Sequence, residues 1–280
     1  MKKSITLLIL SIFYISCNNE PLDTGLTNSD QDEIIEIPEN ILIIKEINDG
    51  SYDYIFDADG KLERINRVPT TCCYDFAYRY EYTDDNKLNR EVTAIVSEEA
   101  HIVITYNNDT IDSYTSFGFI YNNPYSITIE NNIITRSLNE SVFKYTYASN
   151  NLKKITNYTY IENSITKTNI SYTYDNNNNL TGAEEVIING NTTNTIYTFT
   201  YDDKKNPIAE SMDSNKLVYT LIKGYSPNDL IRLSPNNIVS NSKTQESFIY
   251  EYNTDNYPIN AIKNNSTDNS LINTLTYNYY

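Results

Sequence analysis

The chain contains no tryptophan, one histidine, seven glycines and three cysteines in 280 residues. Its 21 basic side chains are outnumbered by 37 acidic ones. Each shortage removes a class of chemistry. With a lone imidazole, a Ser-His or Cys-His arrangement would have to be built around His101. That residue stands in the strand-like run SEEAHIVITY, where a structural histidine is the ordinary reading. There is no glycine-rich loop to cradle a phosphate and no metal-ligand cluster, so no cofactor is expected. The net charge of −16 makes nucleic acid a poor partner, because phosphate would be repelled instead of releasing counterions. An anionic membrane surface is disfavoured on the same ground. The apolar run from Ile5 to Ile15 is too short for a permanent membrane helix, which needs about 20 residues.

What that run does provide is a secretory signal. Lys2 and Lys3 precede it, and the small Ser16 leads into Cys17. The stretch YISC resembles the lipobox of bacterial lipoproteins, with Tyr14 where leucine is usual. The resemblance implies that Cys17 is acylated and becomes the mature N-terminus. Its thiolate is the nucleophile that a thioether to diacylglycerol requires. At about 0.8 kcal/mol per buried methylene, two or three acyl chains hold a protein on a membrane. From Asn18 to Ile44 there are seven acidic residues and no Lys or Arg, a composition that reads as a flexible tether. Glu20 and Asp23, just past the cysteine, resemble the surface-export signal of Bacteroidetes lipoproteins. Outer-membrane attachment with exposure at the cell surface is the expectation.

Tyrosine is abundant (27 residues), and asparagine recurs throughout. Together they form a repeat: YIFDADGKLERI (54–65), YEYTDDNKLNREV (80–92), YTYASNNLKKI (145–155), YTYDNNNNL (172–180), FTYDDKKNPI (199–208), YEYNTDNYPINAI (250–262) and a final YNYY (277–280). First aromatics stand at 54, 80, 145, 172, 199, 250 and 277, so gaps of 26 or 27 residues recur. The two longer gaps hold weaker copies around ITYNN and LVYTL. Such a period signals stacked supersecondary units. Aromatic-x-aromatic spacing points both rings to one face of a strand, and the polar residue between them wets the other face. Asn and Asp tolerate left-handed backbone and cap their own turns, so the polar run is a hairpin loop. Asp59-Gly60 is the strongest turn signal. DADGK (57–61) lacks the later ligands of a calcium loop and reads as that turn.

These segments resemble the YD repeat of the rearrangement-hot-spot family, across most of residues 50 to 280. The nearest likeness in size is to small Bacteroidetes surface lipoproteins with degenerate YD-like repeats. The resemblance implies a curling antiparallel sheet, surface attachment or carbohydrate contact, and no catalytic residues.

The resulting expectation is an all-β chain in three parts: a signal peptide (1–16), lipidated Cys17 with its acidic tether (17–40), and a repeat domain (41–280). That domain should hold eight or nine antiparallel hairpins in one twisted, curled sheet or open barrel, with hardly any helix. Adjacent Cys72 and Cys73 form either a vicinal disulfide or two separate thiols. Exposed tyrosines stack on sugar rings, and Tyr82, Tyr147, Tyr174, Tyr201 and Tyr252 are the candidates. Function is expected to be non-enzymatic binding or adhesion at the cell surface, toward an extracellular glycan or a surface protein, with the membrane as partner through the anchor. The alternatives are an envelope carrier or assembly factor that holds an acyl chain or partner strand, and a glycosidase with two carboxylates.

Overall fold

The computed structural model describes residues 42–280 apart from 50–51, 68–77, 96–97, 108–109, 118–121, 150 and 224–225. Cys17, the tether, Cys72 and Cys73 lie outside the described residues. Among the described residues, eighteen strands follow one another. They are β1 (Ile44–Asn48), β2 (Tyr52–Phe56), β3 (Leu62–Arg67), β4 (Tyr78–Tyr82), β5 (Leu88–Ile95) and β6 (Glu98–Asn107). Next come β7 (Thr110–Phe117), β8 (Asn122–Glu130), β9 (Ile133–Leu138), β10 (Ser141–Ala148), β11 (Asn151–Glu162) and β12 (Ile165–Tyr174). The last six are β13 (Leu180–Asn189), β14 (Asn191–Lys205), β15 (Asn236–Asn241), β16 (Glu246–Tyr252), β17 (Pro258–Asn265) and β18 (Leu271–Tyr279).

Every strand pairs antiparallel with its chain neighbours, and β1 also pairs with β18, where Ile47 lies opposite Tyr277. The sheet is therefore a closed up-and-down barrel. Closure removes the unpaired edges that an open sheet of this length would expose.

Side chains alternate as the aromatic-x-aromatic spacing requires. On β12, Ile170 and Tyr172 are buried, whereas Lys167, Asn169, Ser171 and Thr173 occupy the outer face. On β16 the inward positions are Phe248, Tyr250 and Tyr252, with Ser247 and Glu251 outside. The core thus lines the lumen and includes Tyr80, Tyr114, Tyr145, Tyr158 and Tyr172 with Ile104, Ile134, Ile155 and Leu180.

A barrel of 18 strands has a lumen wide enough for an aqueous channel. An apolar lining cannot face that much water, so something must fill it. The filler is the connection between β14 and β15. It contains α1 (Pro207–Ser211), a 3-10 turn at 213–215, α2 (Lys216–Lys223), α3 (Pro227–Leu230) and a 3-10 turn at 231–233. These helices depart from the expectation of hardly any helix. The segment LVYTL, read as a weak strand copy, lies within α2. Its Val218, Tyr219 and Leu221 are buried in the barrel core.

Candidate functional site

The hairpin loops of the repeat share one geometry. In the turn after β2, Asp57 Oδ1 accepts from the N–H groups of Asp59 (3.0 Å) and Lys61 (2.8 Å). Asp175 does the same for Asn177 and Asn179 at 2.9 and 2.8 Å, and Asn253 for Asp255 and Tyr257 at 3.0 Å each. The fourth residue of each loop takes positive φ: Gly60 at 78°, Asn86 at 65°, Asn178 at 68° and Asn256 at 64°. Asparagine substitutes for glycine there because it tolerates left-handed backbone.

Consecutive repeats are clasped at the same rim. The last tyrosine of a motif strand donates its hydroxyl to a carbonyl early in the returning strand of the preceding repeat. Tyr82 reaches Leu62 O (2.8 Å), Tyr106 reaches Leu88 O (2.6 Å), Tyr174 reaches Ile155 O (2.8 Å) and Tyr201 reaches Leu180 O (2.8 Å). Tyr279 closes the series on Pro258 O at 2.8 Å. A lysine just before the residue with the accepting carbonyl covers the same ring: Lys61 over Tyr82, Lys87 over Tyr106 and Lys154 over Tyr174. Burial raises the phenol pKa values of Tyr82, Tyr174 and Tyr201, and that of Tyr106 to about 12.

The insert is spliced into one of these turns. Asp202 Oδ1 accepts from Lys204 N at 2.9 Å, as its counterparts do two residues on. The bond expected four residues on comes instead from Asn237 N (3.2 Å), at the start of the delayed returning strand. Between them, Asn206 caps α1 by accepting from Ile208 N at 3.1 Å, with Pro207 in the first turn.

Around the ring the insert is fastened to distant strands. Leu88 N donates to Asn215 Oδ1 (2.8 Å), and Leu180 N donates to Ser234 Oγ (3.1 Å). Arg136 of β9 donates to Leu221 O near the C-terminus of α2 (2.9 Å), where a cation suits the helix dipole. Its guanidinium sits 4.7–5.9 Å from the ring centroids of Tyr114, Tyr125, Phe143 and Tyr145.

Filling is incomplete. A cavity of about 270 Å³ remains between the insert and strands β1, β2 and β15 to β18. Ile231, Phe248 and Leu275 supply apolar surface, and Asn228, Asn237 and Asn241 supply amides. Four charged side chains face it: Asp49, Arg232, Glu246 and Lys263. Asp49, Thr244, Glu246 and Lys263 belong to the rim opposite the motif turns, so the cavity opens there.

The five tyrosines expected to stack on sugars are wall components. Tyr82, Tyr174 and Tyr201 are half-buried and hold their neighbours through their hydroxyls, and Tyr147 is buried. Tyr252 is half-buried and donates to Asp202. The alternation that put both rings on one face put them inside, because the sheet closes. His101 lies on β6 with Nδ1 2.9 Å from Arg90 Nη2. The residues of the luminal cavity were missed by sequence reasoning. The Asn-Pro and Ser-Pro pairs at 206–207 and 226–227 were the available signal, since each precedes a helix.

No family model and no curated protein matches the chain. Among solved structures it is similar to a porin-like protein from Bacteroides uniformis ATCC 8492, at 12% identity over 87% of this chain and 99% of that one, with a TM-score of 0.40. A porin-like protein from Bacteroides vulgatus ATCC 8482 is similar at 12% identity over 85% and 99% of the respective chains, with a TM-score of 0.33.

Proposed function

We propose that this chain is a non-catalytic binding module of the outer membrane, anchored through a lipid on Cys17, that holds a glycan-like ligand. The observation that carries the reading is the cavity left beside the insert, an apolar lining set with charged and amide groups. Amides, carboxylates and cations next to Phe248 suit a molecule with hydroxyl edges and a flat apolar face. An acyl chain is a poor occupant, because its methylenes would displace water from the charged Asp49, Arg232, Glu246 and Lys263 and offer them no hydrogen bond in return.

The polarity of the wall bears on how the protein meets the membrane. A membrane-spanning barrel carries an apolar band outside and a polar interior. Here Thr, Ser, Asn, Lys and Glu occupy many outward positions and interrupt the exposed isoleucines, of which Ile196 faces Glu184 and Ile249 faces Ile262 on the neighbouring strands. This arrangement supports a barrel tethered to the bilayer over one embedded in it.

Two measurements test the reading. In cells, Cys17→Ser should release the protein from the membrane fraction, and protease added to intact cells should degrade the wild-type chain. A glycan array probed with the purified full chain should give a signal. A folded protein that binds no sugar on the array would sink the ligand assignment.

A further inference from the structure

The charged groups facing the cavity are engaged in different ways. Glu246 pairs with Lys263 at 3.5 Å and accepts from Thr244 Oγ1 at 2.7 Å. Asp49 Oδ1 accepts from Tyr52 N at 2.6 Å. Arg232 lies within the field of Asp229, three residues earlier on the insert; its guanidinium donates to a neutral phenol, Tyr54 Oη, at 2.5 Å and lies over that ring. A guanidinium has five N–H donors in a planar fork and stays charged in any protein setting. Asn228 stands four residues earlier, one helical turn away, so both side chains lie on the insert's cavity-facing side. Asn228 Oδ1 accepts from Asn241 Nδ2 at 3.3 Å, while its own amide N–H groups donate to no described residue.

We infer that the cavity binds a single acidic sugar, whose carboxylate sits on the Arg232 fork while a ring hydroxyl accepts from Asn228. The inference rests on the binding-module reading and narrows it to a ligand class. Size supports it: about 270 Å³ is the share of roughly nine waters, close to one pyranose ring with its substituents. Geometry supports it too, since a carboxylate matches the fork in bidentate fashion. Phe248, Ile231 and Leu275 then meet the apolar face of the ring.

The test is calorimetric or saturation-transfer binding of glucuronate and galacturonate to the purified full chain, against glucose and galactose at equal salt. Acidic sugars should bind at least tenfold tighter than their neutral counterparts. Arg232→Gln should remove that preference, and Asn228→Ala should weaken acid binding severalfold. Equal affinity for acid and neutral sugars would leave the glycan reading standing and overturn the carboxylate assignment. Binding of neither would overturn both. Should Arg232→Gln not fold, Asn228→Ala decides, because its side chain is not part of the barrel core; unchanged acid affinity in that variant would refute the site.

Discussion

The wall and the insert occupy the same lumen by opposite means. The wall repeats one local contact: its clasps join residues 18 to 21 positions apart, from Tyr106–Leu88 to Tyr201–Leu180. The insert makes each contact once and over long separations, 127 positions for Leu88–Asn215 and 178 for Arg232–Tyr54. A repeating wall can lengthen or shorten by whole units, yet it cannot fill a lumen that widens with every added strand. The insert removes that limit. Because it is irregular, it also leaves a cavity of about 270 Å³ between itself and the wall.

The sharpest way to break this comparison is to remove the insert. Replacing 207–235 by a short Asn-Gly turn should restore a motif-like hairpin between β14 and β15 and empty the lumen. The buried side chains Met212, Val218, Tyr219, Leu221, Leu230, Ile231 and Leu233 would be lost. At about 1.5–3 kcal/mol each they amount to on the order of 10 kcal/mol, comparable with the whole stability of a domain. The expected product is insoluble or binds a hydrophobic dye strongly. A soluble variant that melts like the wild type would show the wall to be self-sufficient.

The wall should fail first in alkali. Burial raises the phenol pKa values of Tyr54, Tyr80, Tyr147, Tyr172, Tyr250 and Tyr277 above their unfolded value near 10. Stability from these groups is fully present below that value. As pH rises past it the unfolded chain loses protons that the folded chain keeps, so stability falls. Each phenol contributes about 1.4 kcal/mol of loss by pH 11. Unfolding between roughly pH 10.5 and 12 is expected, with ultraviolet difference spectra showing phenolate appearing together with loss of β-structure. Phenols that titrate gradually near pH 10 in a folded protein would contradict the packed tyrosine lumen.

Much of the wall could be read before folding. Tyr172 and Tyr174 announced a shared face, and Asp175 to Asn178 announced the turn, because both signals are local and recur. Closure could not be read: an inward tyrosine and an exposed stacking tyrosine leave the same alternation in sequence. The insert was hidden for a different reason. KLVYTLIK is a short apolar run whose Val, Tyr and Ile favour strands, and only tertiary packing makes it helical. The cavity depends on contacts such as Asn228 with Asn241 across insert and wall, which no local pattern encodes.

A finer test separates tyrosine as clasp from tyrosine as filler. Tyr174→Phe removes the bond to Ile155 O and leaves a half-buried carbonyl without that donor, at about 1–2 kcal/mol. For a domain of this size that is a fall in Tm of roughly 2–8 °C. The Tyr147 hydroxyl is buried with no hydrogen-bond partner among the described residues, so Tyr147→Phe should be neutral or slightly stabilising. Equal effects from the two substitutions would mean that the clasps contribute nothing beyond ring burial.

The smallest expected effect concerns the asparagines of the turns. Asn178 holds φ at 68° and accepts from Lys154 Nζ at 3.1 Å, an exposed contact worth little. Alanine in that left-handed position costs about 1–2 kcal/mol more than a residue that adopts it readily, so Asn178→Ala should lower Tm by a few degrees. Glycine takes the same geometry without strain, as Gly60 does in the equivalent place, but it adds freedom to the unfolded chain. Asn178→Gly should therefore lie within about 0.5 kcal/mol of the wild type. If alanine proved as harmless as glycine, backbone geometry would not account for asparagine at this position.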